Sequence, residues 1–328
     1  NMIRLSSKYL DGYWINKSLK LSCSKKFLSY PDPYEIGKVE YGKLLLSGML
    51  KFQDELIEMP NRSIWKIEKN SIKLENYLQG FDWLNDLAAV GNFEALKLAQ
   101  EWVFEWILSN KENGQTEWGL ETLTCRVFNW ISHSGFLLKT QNLTLSQSYI
   151  ESIERQAFFL EKRWKSLKSN IIKFKALVLL ISVGIYIDDK KYLIPYCSVA
   201  LDKEINNTFD SGGGIYSRDP NILSQIFSLL TWTEILLKKI EFELTESHKL
   251  IILKVAPILR SLRHSDGSLL GFRGKTEYPT KHLDRALINS GVKHSLPKRE
   301  AMGYARLGRK NVSIFVDTGG QFDSVTEG

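Results

Sequence analysis

The stretch IESIERQAFFLEKRWKSLKSNIIKFKALVLLISVGIYI, residues 150–187, sets two helices of different character next to each other. In its first half Ile150, Ile153, Ala157, Leu160 and Trp164 recur at steps of three and four, with Glu, Arg and Lys between them. That spacing makes one apolar stripe and one charged face, the mark of a helix buried on a single side. After Ser169-Asn170 the stripe dissolves, because nearly every position from Ala176 to Ile187 is apolar. A helix of that kind needs neighbours all round. The run is too short to cross a bilayer, so the neighbours are other helices. A half-buried helix beside a fully buried one is what an inner and an outer layer of helices would produce.

The same pattern extends in both directions. Upstream, Asn92 is a plausible cap for a helix carrying Leu96, Ala99, Val103 and Trp106, and a turn at Asn113-Gly114 leads to Leu123, Val127 and Trp130. Downstream, helices are expected near 190–205, 221–239 and 245–263, the last opened by Thr245 and kinked by Pro257. A break at Ser211-Gly212-Gly213-Gly214 separates the first two of these. Residues 1–43 read as irregular, with turns at Asp11-Gly12 and Pro31-Asp32-Pro33, and Tyr41 to Glu58 reads as a first helix stopped near Pro60. Beyond residue 265, Ser268 to Phe272 is strand-like, His282 to Asn289 forms a short helix, and Val312 to Val316 forms a strand. Helical periodicity alone fits a bundle or a solenoid as well as a closed ring.

Composition narrows the function classes. A hydrophobic share of 43% and a charged share of 25% are those of a soluble globular protein with a sizeable core. The net charge of +7 favours an anionic partner, but Lys and Glu are interspersed and form no dense basic run. Charge alone does not choose among nucleic acid, acidic polysaccharide and membrane surface; nucleic acid and membrane are not expected as partners. Cys23, Cys125 and Cys197 are odd in number and far apart, neither a disulfide framework nor a metal spacing, and five scattered His suggest no metal. No cofactor is expected: the triple Gly lacks the Lys-Ser/Thr and the preceding strand of a phosphate loop. The start Asn1-Met2-Ile3-Arg4 has no apolar leader, so a cytoplasmic location is expected, or a periplasmic one if a leader was removed.

Four segments, in order, resemble the heparinase II/III-like polysaccharide lyases. They are Gly80 to Leu87 with its Trp83; Trp118 followed by Arg126, Asn129 and Trp130; the Gly212 to Pro220 loop; and Gly303-Tyr304-Ala305-Arg306-Leu307 with Val312 to Gly319. The resemblance implies a mainly α fold, an (α/α) toroid of paired helices over residues 44–265. Residues 266–328 would be a small C-terminal antiparallel β segment, the start of a truncated β-sandwich. It further implies an acidic, uronate-containing polysaccharide as partner, cleaved by β-elimination. In that chemistry a carboxylate is neutralised, a Tyr or His removes the neighbouring proton, and a Tyr or His protonates the leaving oxygen. A homodimer through the C-terminal strands would cover their apolar face.

The chain departs from the family pattern at several positions. Asn170 matches the Asn of an Asn-His pair, but Ile171 follows it. Asn221-Ile222 stands where a Tyr and His are expected, and Ile215 where a His is expected. A non-catalytic glycan-binding protein or an incomplete fragment is therefore the alternative. The remaining candidates for catalysis are Tyr216, His264 and Asn170. Tyr216 could serve as a loop acid or base or simply pack on a neighbouring helix, and His264 precedes Asp266 by two positions, an arrangement that could orient a base or simply cap a helix. For substrate binding the candidates are Arg126, Asn129, Trp130 and His133 on one helix face, with Arg218 and Arg273 as carboxylate clamps. Trp130 also fits a core position.

Overall fold

The computed structural model describes residues 2–21, 26–113, 118–139, 143–271, 280–296, 300–309 and 312–319. Gly114, Cys23, Phe272 and Arg273, each named in the sequence reading, lie outside them. The chain divides into two compact units, residues 1–197 and 198–328.

The first unit contains α1 (Met2–Ser18), α2 (Val39–Leu46), a hairpin of β1 (Met49–Phe52) and β2 (Glu55–Glu58), then α3 (Ile72–Gly80), α4 (Trp83–Val90), α5 (Phe93–Asn113), α6 (Leu120–Ser132), the single turn α7 (Ser134–Leu137), α8 (Leu143–Arg163) and α9 (Asn170–Tyr186). The next helix, α10 (Leu193–Thr208), runs across the boundary between the units. Neighbouring helices pack in pairs: α2 on α4, α1 on α8, and α6 on α3, α8 and α9. The contrast read in residues 150–187 is real. On α8, Ile150, Ile153, Ala157 and Leu160 are buried while Glu151 and Arg155 pair on the other side. On α9 every residue from Ala176 to Tyr186 is buried. Asn92 caps α5 by accepting from the Ala95 amide at 2.8 Å.

Two expectations for the N-terminal region do not hold. Residues 2–18 form a helix rather than an irregular segment. Asp11-Gly12 reads as a turn, but Asp11 pairs with Arg163 of α8 at 2.7 Å and Trp14 packs edge-on against Phe158 at 6.1 Å. Tertiary contacts thus override the local turn preference. The helix expected over Tyr41 to Glu58 is α2 followed by a hairpin. Gly48, at φ 89°, ends the helix, and Gln53, at φ 51°, makes a tight turn that pairs Phe52 with Glu55.

The second unit contains α11 (Pro220–Lys239), α12 (Glu246–Ser261), α13 (Thr280–Asn289) and an antiparallel sheet of β3 (Glu300–Ala301), β4 (Tyr304–Arg309) and β5 (Val312–Asp317), in that order. Thr245 caps α12 through the His248 amide, as its position suggested, and the helix continues through Pro257. The carbonyl that Pro257 cannot bond is that of Leu253, an exposed residue, so water can satisfy it. The described part of the strand-like stretch, Ser268 to Gly271, does not form a strand. Its pairing is a single bridge, Arg263 to Leu269, folded around the Asp266-Gly267 turn. Phe315 of β5 is buried, whereas Leu307, Ile314 and Val316 share the opposite, exposed face.

Helix α2 approaches α4 through Gly42, where an added Cβ would stand 2.3 Å from the Asp86 carbonyl oxygen. Gly12 of α1 has nothing within 4 Å of the same position. Replacing a helical Gly by Ala gains about 0.5–1 kcal/mol of helix propensity, and overpacking costs about 1–3 kcal/mol. Gly42→Ala should therefore lower the thermal midpoint while Gly12→Ala raises it. Equal shifts in the two melting curves would contradict the close α2–α4 approach.

Candidate functional site

Helix α6 carries Arg126 and Asn129, with His133 following as its C-cap, and each of these side chains meets a partner from the α3–α4 junction. Arg126 donates from Nη1 to the Gln79 carbonyl at 3.3 Å and from Nε to Gln156 Oε1 at 2.7 Å. Its guanidinium also lies over the Trp106 ring, 4.4 Å from the centroid. Asn129 Nδ2 donates to the Gly80 carbonyl and to Asp82 Oδ1, both at 2.9 Å. His133 Nε2 stands 2.7 Å from Asn85 Oδ1. Partners at 79, 82 and 85 step by three while 126, 129 and 133 step by three and four, so the two helical segments meet as a polar ladder. All three side chains are buried, and Trp130 of α6 is fully buried against Phe81 and Trp106.

The hydrogen bonds settle the state of His133. Asn85 Nδ2 donates to the Asp82 carbonyl at 3.0 Å, which turns its Oδ1 toward the imidazole. That oxygen only accepts, so Nε2 carries the proton. Nδ1 is buried with no hydrogen-bond partner among the described residues. Burial pushes the imidazole down to about 4, and the ring is neutral at physiological pH.

Acidic groups gather around the same junction. Asp86 Oδ1 accepts from the Lys38 amide at 2.7 Å, and Asn85 Nδ2 reaches Glu35 Oε2 at 3.5 Å. The strap holding Glu35 crosses α4 at Gly37, where an added Cβ would be 2.3 Å from the Asn85 carbonyl. Burial raises the Asp82 carboxyl; Lys175 opposes the rise and Glu35 adds to it. Burial likewise raises Asp86 to about 6, opposed by the Lys38 amide and ammonium. Asp82, Asn85 and Asp86 were not singled out as functional from the sequence. The signal was available, since these polar residues share one face of a helix whose other positions are apolar.

In the second unit the Gly-rich break is a structured loop. Asp210 Oδ1 accepts from the Gly212 and Gly214 amides at 2.8 and 2.9 Å. Arg218, in the left-handed region at φ 53°, is buried beneath it. It donates from Nε to the Met302 carbonyl and from Nη2 to the Gly303 carbonyl, both at 2.8 Å, and pairs with Asp317. The guanidinium stacks on Tyr304, whose hydroxyl donates back to the Arg218 carbonyl at 3.0 Å. Gly303 and Gly319 make room for it, because a Cβ at either would fall within 3 Å of its nitrogens. Tyr216, between these anchors, is 78% exposed. His264 packs edge-on against Phe315 at 4.9 Å. Asp266 Oδ1 accepts from the Ser268 amide and hydroxyl, forming the turn that follows α12. Asn170 is exposed in the first turn of α9. Among the described residues no group of three or more His, Cys, Asp or Glu could hold a metal ion, and no helix is long and apolar enough to cross a membrane.

Two substitutions probe these arrangements. Asp86 holds its proton more tightly folded than unfolded, so its ionisation weakens the fold as pH rises from 3.8 through about 6. Asp86→Asn keeps an acceptor for Lys38 and removes that ionisation. The variant should be more stable by about 2–3 kcal/mol above the folded value, with the gain vanishing below the unfolded one. Denaturation measured across this range would refute the assignment if the gain stayed constant. Arg218→Lys loses the planar fork and should speed amide exchange in β4 and β5 while α11 stays protected. Unchanged exchange in the sheet would mean the clamp is not what holds it.

No protein-family profile matches the chain, and no curated protein matches it by sequence. Solved structures do. The heparan sulfate lyase HepC from Pedobacter heparinus is similar at 13% identity with a TM-score of 0.59, over 94% of this chain and 55% of that one. A heparinase III structure is similar at 13% identity with a TM-score of 0.58, over 79% of this chain and 44% of that one. A further heparinase III gene product gives 11% identity and a TM-score of 0.58 over 88% and 52%. The chain spans about half the length of these structures. At such identities the likeness speaks for fold alone: mainly α, consistent with the helical toroid of these neighbours, and ending in a small antiparallel sheet. In its fold, this chain resembles the heparinase II/III-like lyases.

Proposed function

We propose that this chain acts on an acidic, uronate-containing polysaccharide by β-elimination, with Tyr216 as its proton-transferring group. The observation that carries the reading is the fold likeness to a heparan sulfate lyase over 94% of the chain. Tyr216 fits because its phenol is exposed while its loop is anchored on one side by Asp210 and on the other by Arg218. An anchored loop keeps a reacting group in place without burying it. In the reaction Tyr216, acting as its phenolate, takes the proton beside the uronate carboxyl, the carbon–oxygen bond to the leaving sugar breaks, and the leaving oxygen gains a proton from protonated His264. His264 is assigned to the second proton transfer, and Asn170 to a separate polar contact with the polymer.

The other binding candidates take different roles here. Arg218 is a positioning residue, its guanidinium being committed to Met302, Gly303 and Asp317. Arg126, Asn129 and His133 hold α6 to the α3–α4 junction, and Trp130 is part of the core between them.

A second reading, glycan binding without cleavage, is favoured by Ile171, Ile215 and Asn221-Ile222 at the positions that depart from the family pattern. Incubation with heparan sulfate, chondroitin sulfate, polygalacturonate and alginate separates the two. Elimination leaves an unsaturated uronate with ultraviolet absorbance, and Tyr216→Phe should reduce its rate by about 10²–10⁴-fold. Binding with no rise in absorbance would replace the lyase by the binding protein. Neither binding nor cleavage would remove both.

A further inference from the structure

We infer that the surface shared by α1 and α8 is an additional binding site for an acidic polysaccharide, built from Tyr9, Tyr13 and Lys17 with the rings beside them. The inference takes its ligand class from the proposed function and assigns it to residues that function does not use. Tyr9, Tyr13 and Lys17 are spaced by four, so they follow one another along a single face of α1. Tyr9 is 81% and Tyr13 50% exposed. Lys17 Nζ lies 5.6 Å from the Tyr13 ring centroid and 5.5 Å from that of Trp14, between two rings that meet edge-on at 4.9 Å. The row continues onto α8, where Trp14 packs on Phe158 at 6.1 Å and Lys162 Nζ sits 5.3 Å from the Phe158 ring.

Charge decides the sign of the ligand. Among the described residues the carboxylates beside this row have basic partners: Asp11 pairs with Arg163, and Glu161 with Lys162 while also accepting from the Tyr192 hydroxyl. Lys17 is in no ion pair among the described residues, and Lys20 and Lys26 follow it in the chain. Exposed aromatic faces with a cation held between them suit a ligand that alternates flat sugar faces with carboxylates or sulfates. An anionic membrane would ask for something else, a free apolar stripe able to enter the lipid boundary. The apolar side of α1 is already spent on α8 through Trp14 and Phe158. Among the described side chains, exposed Leu10 lies on α1 and exposed Leu19 lies past its end, nine positions on, so the two form no continuous stripe.

The test uses the full chain and heparan sulfate as probe, with affinity measured by calorimetry at low and at physiological salt. Tyr9→Ala/Tyr13→Ala/Lys17→Glu should weaken binding by about tenfold or more, and Lys17→Glu alone should flatten its salt dependence. All three positions are exposed, and Lys17→Glu alone keeps the test valid should the triple variant unfold. If the wild-type chain binds the polymer equally well with and without the substitutions, this surface is not a site, although the proposed function survives. If the wild-type chain binds no acidic polymer, both fail. Loss of sedimentation with phosphatidylserine vesicles, at unchanged polymer affinity, would overturn the inference in favour of a membrane.

Discussion

Phe81 stands in the left-handed region at φ 61°, fully buried, at the point where α3 ends and α4 begins. A bulky residue in that conformation costs about 1–2 kcal/mol. The return is a central ring with Trp65 at 5.3 Å, Trp83 at 5.1 Å, Trp106 at 5.8 Å and Trp130 at 5.1 Å around it. Aromatic pairs of this kind contribute about 0.5–1.5 kcal/mol each beyond their buried area, so four outweigh the strain. The same turn sets Gln79, Asp82 and Asn85 opposite α6, and the polar ladder of the first unit depends on it.

That ladder explains how so many polar side chains tolerate burial. Arg126 is fully buried, yet it is bonded to Gln79 and Gln156 and stacked on Trp106, whose indole in turn donates to Gln79 at 2.8 Å. Removing one partner would leave a desolvated charge, which costs more than the bond itself contributes. His133 and Asp86 respond to burial in opposite directions, each toward its neutral form. The interior of this unit therefore carries less charge than its sequence suggests, and polar bonding there specifies which helices meet.

In the second unit one residue performs the comparable task. Arg218 joins the Gly-rich loop to the β3–β4 turn and to β5 by two carbonyls and a carboxylate, all from residues 84 to 99 positions away. Guanidinium geometry suits this because its donors are fixed in a plane and can satisfy several acceptors at once. A side chain that reads as a carboxylate clamp for a ligand is here a clamp for the protein's own backbone. Its effect on function would be indirect, through the loop that presents Tyr216.

The helices and their two kinds were legible in the sequence because periodicity is local: residues 150–187 alone separate a striped helix from a buried one. Capping by Asn92 and Thr245 was legible for the same reason. Helix α1 and the β1–β2 hairpin were not, since Asp11-Gly12 folds as helix only through Arg163 and Phe158 of α8, and an apolar run such as Leu44 to Leu50 suits helix or strand until Gly48 divides it. For the site, sequence identified Arg126, Asn129, Trp130 and His133 as one face and Tyr216 as a loop group. Whether a polar face looks toward solvent or toward another helix is set by partners at 79, 82 and 85, some forty-five to fifty positions upstream. Periodicity thus determined which residues share a face, and only tertiary packing decided what that face touches, because contact between distant segments leaves no period in the chain.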